Sequence, residues 1–570
     1  MLERLFSIAA KAAPTFLVAV LAGCSSTGPL IETYDVLIEN GTIYDGNGGA
    51  PYQADIAILG DRISGIGDFD PAYAGRVVDA TGLAVAPGFI NMLSWATESL
   101  IIDGKSQSDI RQGVTLEVFG EGGSMGPLSD DMKAWAIARQ GDAKFDIEWT
   151  TLGEYLEFLE RKGIAPNVAS FVGATTVRVH QVGFEDRPPT QAELATMQEL
   201  VRAAMREGAL GVGSSLIYAP AFYAQTDELV ALVQAAAEYD GMYISHMRSE
   251  GNRLLESIDE LIHIAEASGA PAEIYHLKMS GKDNWHKFDD VVAKIEAARE
   301  RGVRITADMY TYPAGSTGLD AAMPPWVQEG GFQAWVERLQ DADIRRRVIE
   351  DMTTPTDTWE NLFLAAGPDK TLLVGFRNHD LRKYTGMTLA EVSKLRGTPP
   401  TVTALDLVVE DGSRVQVVYF LMSEENVAKG VALPWVSFGS DAGSLATEGV
   451  FLNTSTHPRA YGNFARVLGK YVRDEAGLPM QAAIHKLTKL PATNLQVRNR
   501  GELREGYYAD VVVFDPLRIQ DHATFAEPHQ YSTGMVHVFV NGVQVLKDGE
   551  HTGALPGRVV RGPGWEGWAD

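Results

Sequence analysis

Two histidines and one aspartate in this chain each follow a strand-like run of apolar residues. His246 and His276 close short runs, and Asp441 closes a longer one near the carboxyl end. A (β/α) barrel holds a catalytic metal and a general base with such residues at the carboxyl ends of its strands. The pattern predicts that His246, His276 and Asp441 bind a metal and that Asp441 is also the catalytic base.

The long middle of the chain alternates strand-like and helix-like patterns. Residues 114–119 and 167–172 are typical of buried parallel strands, and 254–265 have the spacing of an amphipathic helix. The strand-like runs number about eight, which is the number that closes a barrel. We predict an α/β fold with a TIM-like (β/α)8 barrel over 84–489 and a lid-like insertion at about 310–433.

Both ends of the chain are rich in short strands and turns. Residues 34–83 contain alternating runs separated by Gly-rich turns, and 490–570 return to the same texture and include an Asn541-Gly542 turn. Two β-rich ends that flank one α/β segment predict a small β-sandwich module built from both termini.

The overall charge limits the class of partner. The chain has 570 residues and a formal net charge of -26. Binding to phosphate backbones requires concentrated lysine and arginine, so this charge argues against nucleic acid as a partner. The chain has one cysteine, Cys24, which therefore has no internal disulfide partner.

Residues 1–24 have the organisation of a lipoprotein signal peptide. A basic start and a short apolar core precede Leu21-Ala22-Gly23-Cys24, which resembles the bacterial lipobox. This pattern predicts lipidation at Cys24 and no other attachment to the membrane. The serine that follows Cys24 is compatible with sorting to the outer membrane, so we expect the protein in the bacterial cell envelope, facing the periplasm. A plain signal peptide with an incidental cysteine, or an uncleaved anchor, is the other interpretation.

A series of short motifs follows the lipobox along the chain. They include Ala86-Pro87-Gly88-Phe89-Ile90, Ser245-His246-Met247-Arg248-Ser249-Glu250-Gly251, His276-Leu277-Lys278, Gly439-Ser440-Asp441 and His457-Pro458-Arg459-Ala460-Tyr461-Gly462. Together these motifs resemble the N-acyl-D-amino-acid deacylases (D-aminoacylases) of the amidohydrolase superfamily. The resemblance implies a barrel enzyme that uses zinc to hydrolyse the amide bond of N-acyl-D-amino acids. The products would be a carboxylic acid and an amino acid, and the partner a small-molecule N-acyl amino acid.

The chain departs from that family after the first barrel strand. The family has Asp-x-His-x-His where this chain reads Asn91-Met92-Leu93-Ser94-Trp95, so both histidines are replaced. We expect this loss to remove one metal and leave one zinc ion. Leu93 and Trp95 are then interpreted either as filling the space of the lost metal or, for Trp95, as an apolar wall of the acyl pocket.

The family's cysteine ligand falls near Glu121, in the sequence Gly120-Glu121-Gly122-Gly123. A glutamate with two histidines is a known zinc ligand set that leaves one position open for water. We therefore predict that Glu121 binds the metal together with His246 and His276. Glu117 is the rival carboxylate, although its position within a strand favours a buried structural role.

Five residues are predicted to contact the substrate. Side chains two apart in a strand share a face, so Lys278 is expected at the same mouth as His276. The resemblance implies that Lys278 helps to hold the α-carboxylate of the substrate. The remaining candidates are Tyr218, Tyr310 and Ser316, from matching motifs, and Arg377, which lies in the insertion and is interpreted as a carboxylate clamp.

Two other functions remain open from the sequence. The first is a lipid-anchored binding protein that has lost turnover. The second is an amidohydrolase that acts on a cyclic amide or a peptide-like substrate. In the leading interpretation, zinc-activated water attacks the amide, and Asp441 accepts the proton of the water and passes it to the leaving amine.

Overall fold

Eight parallel strands form a barrel in the computed structural model, which describes residues 33–568. Hydrogen bonding joins each strand to the next in chain order. The third strand is interrupted at Phe171, where its two halves pair with different neighbours. The barrel strands are Phe89–Asn91, Val114–Phe119, Asn167–Ser170 with Val172–Gly173, Gly211–Ser215, Met242–His246, Ala272–Ile274, Ile305–Met309 and Val436–Phe438.

The first and last strands close the ring. The backbone N–H of Met92 donates to the carbonyl oxygen of Phe438 at 3.2 Å, and Ser94 forms a parallel bridge with Ala442. The barrel predicted from the alternating pattern is thereby confirmed. The helices outside the insertion are Ser99–Ile102, Gln107–Ile110, Asp130–Arg139, Leu152–Lys162, Ala174–Gln181, Gln191–Arg206, Thr226–Ala237, Leu254–Ser268, Phe288–Glu300, Arg459–Arg466, the π-helix Val467–Asp474, Met480–Leu487 and Lys489–Asn494.

The helix Leu254–Ser268 separates the strands that end near the two histidines. Its apolar residues, among them Ile258 and Leu261, are buried, and it ends at Gly269, which has a φ of +75°. Glycine adopts this left-handed conformation without the steric cost of a Cβ. One βα unit therefore brings two neighbouring parallel strands, and the residues at their ends, to the same mouth of the barrel.

A nine-stranded sheet made from both ends of the chain forms the separate β-module, as the sequence predicted. Its strands share a buried core that includes Ile56, Val513 and Phe539. The strand Ala84–Pro87 belongs to this sheet, just beyond the expected boundary at residue 83, and leads into the first barrel strand after Gly88. The module strands are Val36–Ile43, Tyr52–Leu59, Arg62–Gly67, Val77–Asp79, Ala84–Pro87, Val511–Phe514, Met535–Val540, Val543–Lys547 and Glu550–His551.

The segment between the seventh and eighth barrel strands is a folded subdomain. Gly315–Gly318, Thr371–Gly375 and Gln416–Tyr419 form an antiparallel sheet. It contacts the barrel mouth, where the backbone N–H of Gly281 donates to the carbonyl of Leu421 at 2.9 Å. Its helices are Gly331–Arg338, Ala342–Thr353, Leu362–Ala366, Leu389–Arg396, Pro400–Asp411 and Glu424–Ala432.

The expected signal peptide over 1–24, with Cys24, lies outside the described residues. Within residues 33–568, no helix combines the length and the apolar character needed to cross a membrane.

Candidate metal centre and active site

Glu121 lies two residues beyond the second barrel strand, Val114–Phe119, in a turn made by glycines. Gly120 and Gly122 have φ values of +112° and +70°. A Cβ added to Gly120 would lie 2.5 Å from the carbonyl oxygen of Phe171. Only glycine fits this close approach, which turns the chain at the strand end and directs the Glu121 carboxylate into the mouth of the barrel.

His246 is the last residue of its strand, and His276 lies two residues after the strand Ala272–Ile274. His276 has a φ of +36°, an uncommon conformation for a residue other than glycine. Its backbone N–H donates to Oδ1 of Asp308 at 2.9 Å, which holds this conformation. The strand end and the left-handed turn bring the two imidazole rings to a centroid distance of 4.5 Å.

Glu121, His246 and His276 form one cluster of potential metal ligands. Oε1 of Glu121 lies 3.0 Å from Nδ1 of His246 and 2.9 Å from Nε2 of His276. All three residues are buried, and one ligand atom from each lies within 4.8 Å of the others. Nε2 of His246 is buried without a hydrogen-bond partner. A carboxylate and two imidazoles at this spacing fit zinc, which accepts a Glu and two His ligands.

The charges within the cluster favour an ionised glutamate. Burial by itself would raise the pKa of Glu121, but the charge of His276 and the hydrogen bonds from both histidines outweigh it, and the pKa lies well below its usual range. Burial and the charge of Lys278 lower the pKa of His276. The charges of Glu250 and Glu121 raise it by more, so the net shift is upward. Metal binding would have to displace the proton from His276.

Glu250 supports the cluster from behind His276. Its Oε1 lies 2.9 Å from Nδ1 of His276 and accepts a hydrogen bond from Nζ of Lys278 at 2.6 Å. A carboxylate that accepts the Nδ1–H of a histidine leaves Nε2 free to bind metal and fixes the orientation of the ring. Sequence reasoning quoted Glu250 in a motif without giving it a role. Its position four residues after the ligand His246 was the available signal.

Lys278 reaches the same mouth as His276, with Nζ 2.7 Å from Nδ1 of that ring. Its ammonium is committed to the buried ion pair with Glu250. Burial lowers the pKa of Lys278, but the charge of Glu250 more than offsets this effect and keeps the amine protonated. The structure thus gives Lys278 a partner within the protein, whereas the sequence suggested a contact with substrate.

Asp441, which the sequence predicted both as a metal ligand and as the base, is not part of the three-residue ligand cluster. It has a φ of +49°, and its backbone N–H donates to the carbonyl of Leu93 at 2.8 Å. Nη1 of Arg459 lies 2.8 Å from Oδ2 of Asp441. Burial raises the pKa of Asp441, and the charge of Arg459 opposes this rise. The paired, partly desolvated carboxylate suits a general base next to the ligands. Arg459, which the sequence placed only in a motif, is its counter-charge.

Trp95 joins the metal-ligand cluster to Asp441. Its indole N–H lies 3.0 Å from Oε2 of Glu121 and 3.1 Å from Oδ1 of Asp441. The ring is 44% exposed, so it borders the open side of the site. Leu93, by contrast, is fully buried and packs with Met92 and Val118 in the core of the barrel.

Glu117, the rival candidate ligand, lies in a separate buried network. Its Oε2 accepts a hydrogen bond from Nδ2 of Asn91 at 3.1 Å, and its Oε1 accepts one from Oγ of Ser106 at 3.0 Å. Asn91 also bonds to Ser440, which ties the first strand to the last. Burial raises the pKa of Glu117. The carboxyl of Glu117 thus hydrogen-bonds to other buried residues of the barrel and is not part of the ligand cluster.

Two of the predicted substrate residues line the histidines. The ring of Tyr218 lies 5.3 Å from that of His246, and the ring of Tyr310 lies 6.3 Å from that of His276. Arg459 stacks over Tyr310 at 4.4 Å. These rings border the mouth of the barrel on the side of the insertion, where an organic substrate would contact them.

The remaining predicted substrate residues, Ser316 and Arg377, form hydrogen bonds to backbone carbonyls of the protein. Oγ of Ser316 donates to the carbonyl of Val417 at 3.0 Å within the insertion sheet. Arg377 is exposed, and its guanidinium donates to the carbonyl of Ala138 at 3.0 Å. The structure therefore does not bring Arg377 into the ligand cluster. The insertion has no periodic pattern that would show from sequence which of its cations faces the site.

Comparison with known proteins identifies the family. The model of the amidohydrolase family matches residues 76–546. The D-aminoacylase of Alcaligenes xylosoxydans xylosoxydans is 32% identical over 533 residues, which cover 93% of this chain and 98% of that protein. The chain belongs to the amidohydrolase family. The resemblance to its N-acyl-D-amino-acid deacylases that the motifs indicated is confirmed.

Solved structures of similar proteins contain metal. A D-aminoacylase described as having a binuclear metal centre, with one-metal activation and second-metal attenuation, has a TM-score of 0.78 and 29% identity. An N-acyl-D-glutamate deacylase from Bordetella bronchiseptica, in complex with zinc and a phosphonate inhibitor, has a TM-score of 0.77 and 29% identity. Each alignment covers 93% of this chain and 100% of the other. Both of these similar proteins therefore bind metal.

Proposed function

We propose that this amidohydrolase hydrolyses the amide bond of N-acyl-D-amino acids with a single zinc ion held by Glu121, His246 and His276. The observation that carries the proposal is the convergence of these three ligand atoms beside Asp441 at the mouth of a barrel. The similar proteins named D-aminoacylase and N-acyl-D-glutamate deacylase support the substrate class.

Asp441 and its neighbours would perform the proton transfers. Zinc, when bound, would supply a water of pKa about 7 and polarise the amide carbonyl. Asp441 accepts the proton that the attacking water loses and returns it to the leaving nitrogen as the C–N bond breaks. The charge of Arg459 opposes the rise in the pKa of Asp441 that burial causes, and Glu250 holds the ring of His276 in one orientation. The acid and the amino acid then leave as separate products.

The substrate side of the site is assigned to the aromatic residues beside the histidines. Tyr218 and Tyr310 border the reacting amide on the insertion side and present both an apolar face and a hydroxyl. Ser316 and Arg377 remain candidates for the outer part of the substrate, because both belong to the insertion that borders this mouth.

The test is the release of amine from paired N-acetyl-D- and N-acetyl-L-amino acids by the purified, zinc-loaded protein. The proposal predicts turnover of D-substrates, slower or no turnover of their L-enantiomers, and no activity after chelation. Opening of a cyclic amide without hydrolysis of any N-acyl amino acid would favour the other amidohydrolase function. Binding of N-acyl-D-amino acids without turnover in zinc-loaded protein would favour a binding protein.

For the cellular location, we propose a lipid anchor at Cys24 that holds the enzyme at the outer membrane, facing the periplasm. The support is the lipobox sequence Leu21–Cys24 and the serine that follows it. Metabolic labelling with an alkyne fatty acid should mark the wild-type protein and leave Cys24→Ala unmarked. Equal labelling of both proteins, or recovery of the wild type in the soluble fraction, would contradict the anchor.

A further inference from the structure

Trp95 occupies the space between two carboxylates with a single N–H group. The indole nitrogen lies 3.0 Å from Oε2 of Glu121 and 3.1 Å from Oδ1 of Asp441. The other oxygen of Glu121 faces the two histidines. The indole is therefore a bridge between the ligand carboxylate and the general base, made by residues that are far apart in sequence.

A donor is needed at this place for electrostatic reasons. Two carboxylates that approach the same group repel each other, and an ionised acceptor is stabilised by a directed N–H. The guanidinium of Arg459 places a full positive charge 2.8 Å from Oδ2 of Asp441, the oxygen that does not face the indole. The indole N–H and the guanidinium together supply the positive potential that a second cation would supply between Glu121 and Asp441.

The same arrangement leaves a second metal without the two ligands that a first-strand His-x-His would provide. Leu93 and Trp95 stand at the two positions of the His-x-His motif that this chain lacks. Leu93 is fully buried in the apolar core of the barrel and offers no donor atom for a metal. The indole nitrogen of Trp95 is a hydrogen-bond donor only and has no free lone pair for a metal.

We propose that Trp95 is a positioning residue that takes the place of a second metal, fixing Asp441 against Glu121 and keeping the centre mononuclear. This inference rests on the proposed function, because it assigns Asp441 the role of base. In a site that has lost its first-strand histidines, Trp95 holds the base in place. The residue that replaces one of these histidines thus compensates for the loss.

Metal stoichiometry provides the first test and does not depend on the substrate. The purified protein is dialysed against excess zinc and then against buffer, and zinc per chain is measured. Wild type and Trp95→Phe should each retain about one zinc, and the double variant Leu93→His/Trp95→His should retain about two. Two zinc ions in the wild type would overturn the proposal. One zinc ion in the double variant would overturn it as well, because some feature other than these two residues would then exclude the second metal.

Kinetics of Trp95→Phe provides the second test, since phenylalanine keeps an aromatic face but lacks the N–H and part of the indole ring that carries it. The proposal predicts a fall in kcat of roughly tenfold or more with KM nearly unchanged, as is typical when a partner that orients a site residue is lost. Phe69→Leu, on the distant β-module, is the control and should keep both constants. An unchanged kcat in Trp95→Phe, or loss of its first zinc, would contradict the positioning role.

The two tests separate this inference from the proposed function. If the wild type binds one zinc and the double variant binds two, but no N-acyl amino acid is hydrolysed, the substrate assignment fails and the mononuclear centre stands. If N-acyl-D-amino acids are hydrolysed by a protein that holds two zinc ions, the substrate assignment stands, whereas the single-zinc centre and the role of Trp95 both fail.

Discussion

Glu121 and His276 meet at the mouth of the barrel although 155 positions separate them in the chain, with Oε1 of the carboxylate 2.9 Å from Nε2 of the ring. The contact depends on two unusual backbone turns, one at the glycines around Glu121 and one at His276 itself. Positive φ at a histidine is costly, and such conformations cluster at functional sites because the surrounding structure holds them. The metal centre is thus built by strand ends and the turns that follow them.

The reach of Glu121 sets the first prediction. Glu121→Asp keeps the negative charge but shortens the side chain by one methylene, and zinc ligation tolerates only about 0.2 Å in ligand distance. We expect zinc affinity to fall by roughly 10- to 100-fold. Competition with a chromophoric chelator measures this affinity. Wild-type affinity in the variant would contradict the dependence of zinc binding on the length of the Glu121 side chain.

Asp441 is expected to be needed for turnover more than for metal binding, since it lies outside the three-residue cluster. Asp441→Asn keeps the shape and removes the base, so kcat should fall by about 10²- to 10⁴-fold. Zinc content should stay near one per chain. Asp259→Asn, an exposed position on the helix Leu254–Ser268, is the matched control with unchanged kcat. Loss of zinc from Asp441→Asn would instead make Asp441 an essential ligand.

The buried pair of Lys278 and Glu250 sets a prediction for stability. Lys278→Met leaves the Glu250 carboxylate buried without its cation, a change that typically costs about 3–5 kcal/mol. The melting temperature should drop by several degrees, and the added change Glu250→Gln should recover part of the loss. The surface pair of Lys294 and Asp259 has the same 2.6 Å separation.

Lys294→Met is therefore the control for the buried pair, because an exposed ion pair contributes about 0–1 kcal/mol. Equal effects of Lys278→Met and Lys294→Met on the melting temperature would refute the structural role of the Lys278–Glu250 pair.

Lys486 gives a prediction about pH. Burial lowers the pKa of its amine to about 7, and Nζ donates to the carbonyl of Leu433 at 2.7 Å. Below pH 7 the amine is charged in both the folded and the unfolded chain, so the full cost of its burial is present. As pH rises above 7 the folded amine loses its proton first, and stability relative to Lys486→Met should rise by at most about 1.4 kcal/mol per pH unit, up to the unfolded pKa.

Melting temperatures of wild type and Lys486→Met at pH 6.5 and 9.5 measure this change. The melting temperature of the wild type minus that of Lys486→Met should be larger at pH 9.5 than at pH 6.5. Lys162→Met, at the exposed end of the helix Leu152–Lys162, should show no such shift. A difference for Lys486→Met that is constant with pH would contradict the prediction.

Sequence patterns predicted the barrel and the two-ended β-module because strand and helix periodicities are local. They also indicated His246 and His276, because a residue at the end of a parallel strand must lie at the mouth whatever its neighbours are. Glu121 was indicated by the resemblance, which places the family's cysteine ligand near it.

The partners of the charged residues were not predictable in this way. The sequence suggested that Lys278 and Arg377 face the substrate, but it did not indicate their partners within the protein, which are Glu250 for Lys278 and the carbonyl of Ala138 for Arg377. Which carboxylate or carbonyl meets a cation depends on the packing of segments that are distant in sequence. The bridge from Trp95 to Asp441, 346 positions apart, is of this long-range kind.

The most direct test of the metal centre is the zinc content of the purified protein and of Glu121→Ala, His246→Ala and Glu256→Gln. Glu256 is an exposed carboxylate on the helix that follows His246 and serves as the control. The structure predicts about one zinc per chain in the wild type and in Glu256→Gln, and almost none in the two alanine variants. A folded wild type that binds no zinc when the metal is supplied, or alanine variants that keep it, would contradict the metal centre.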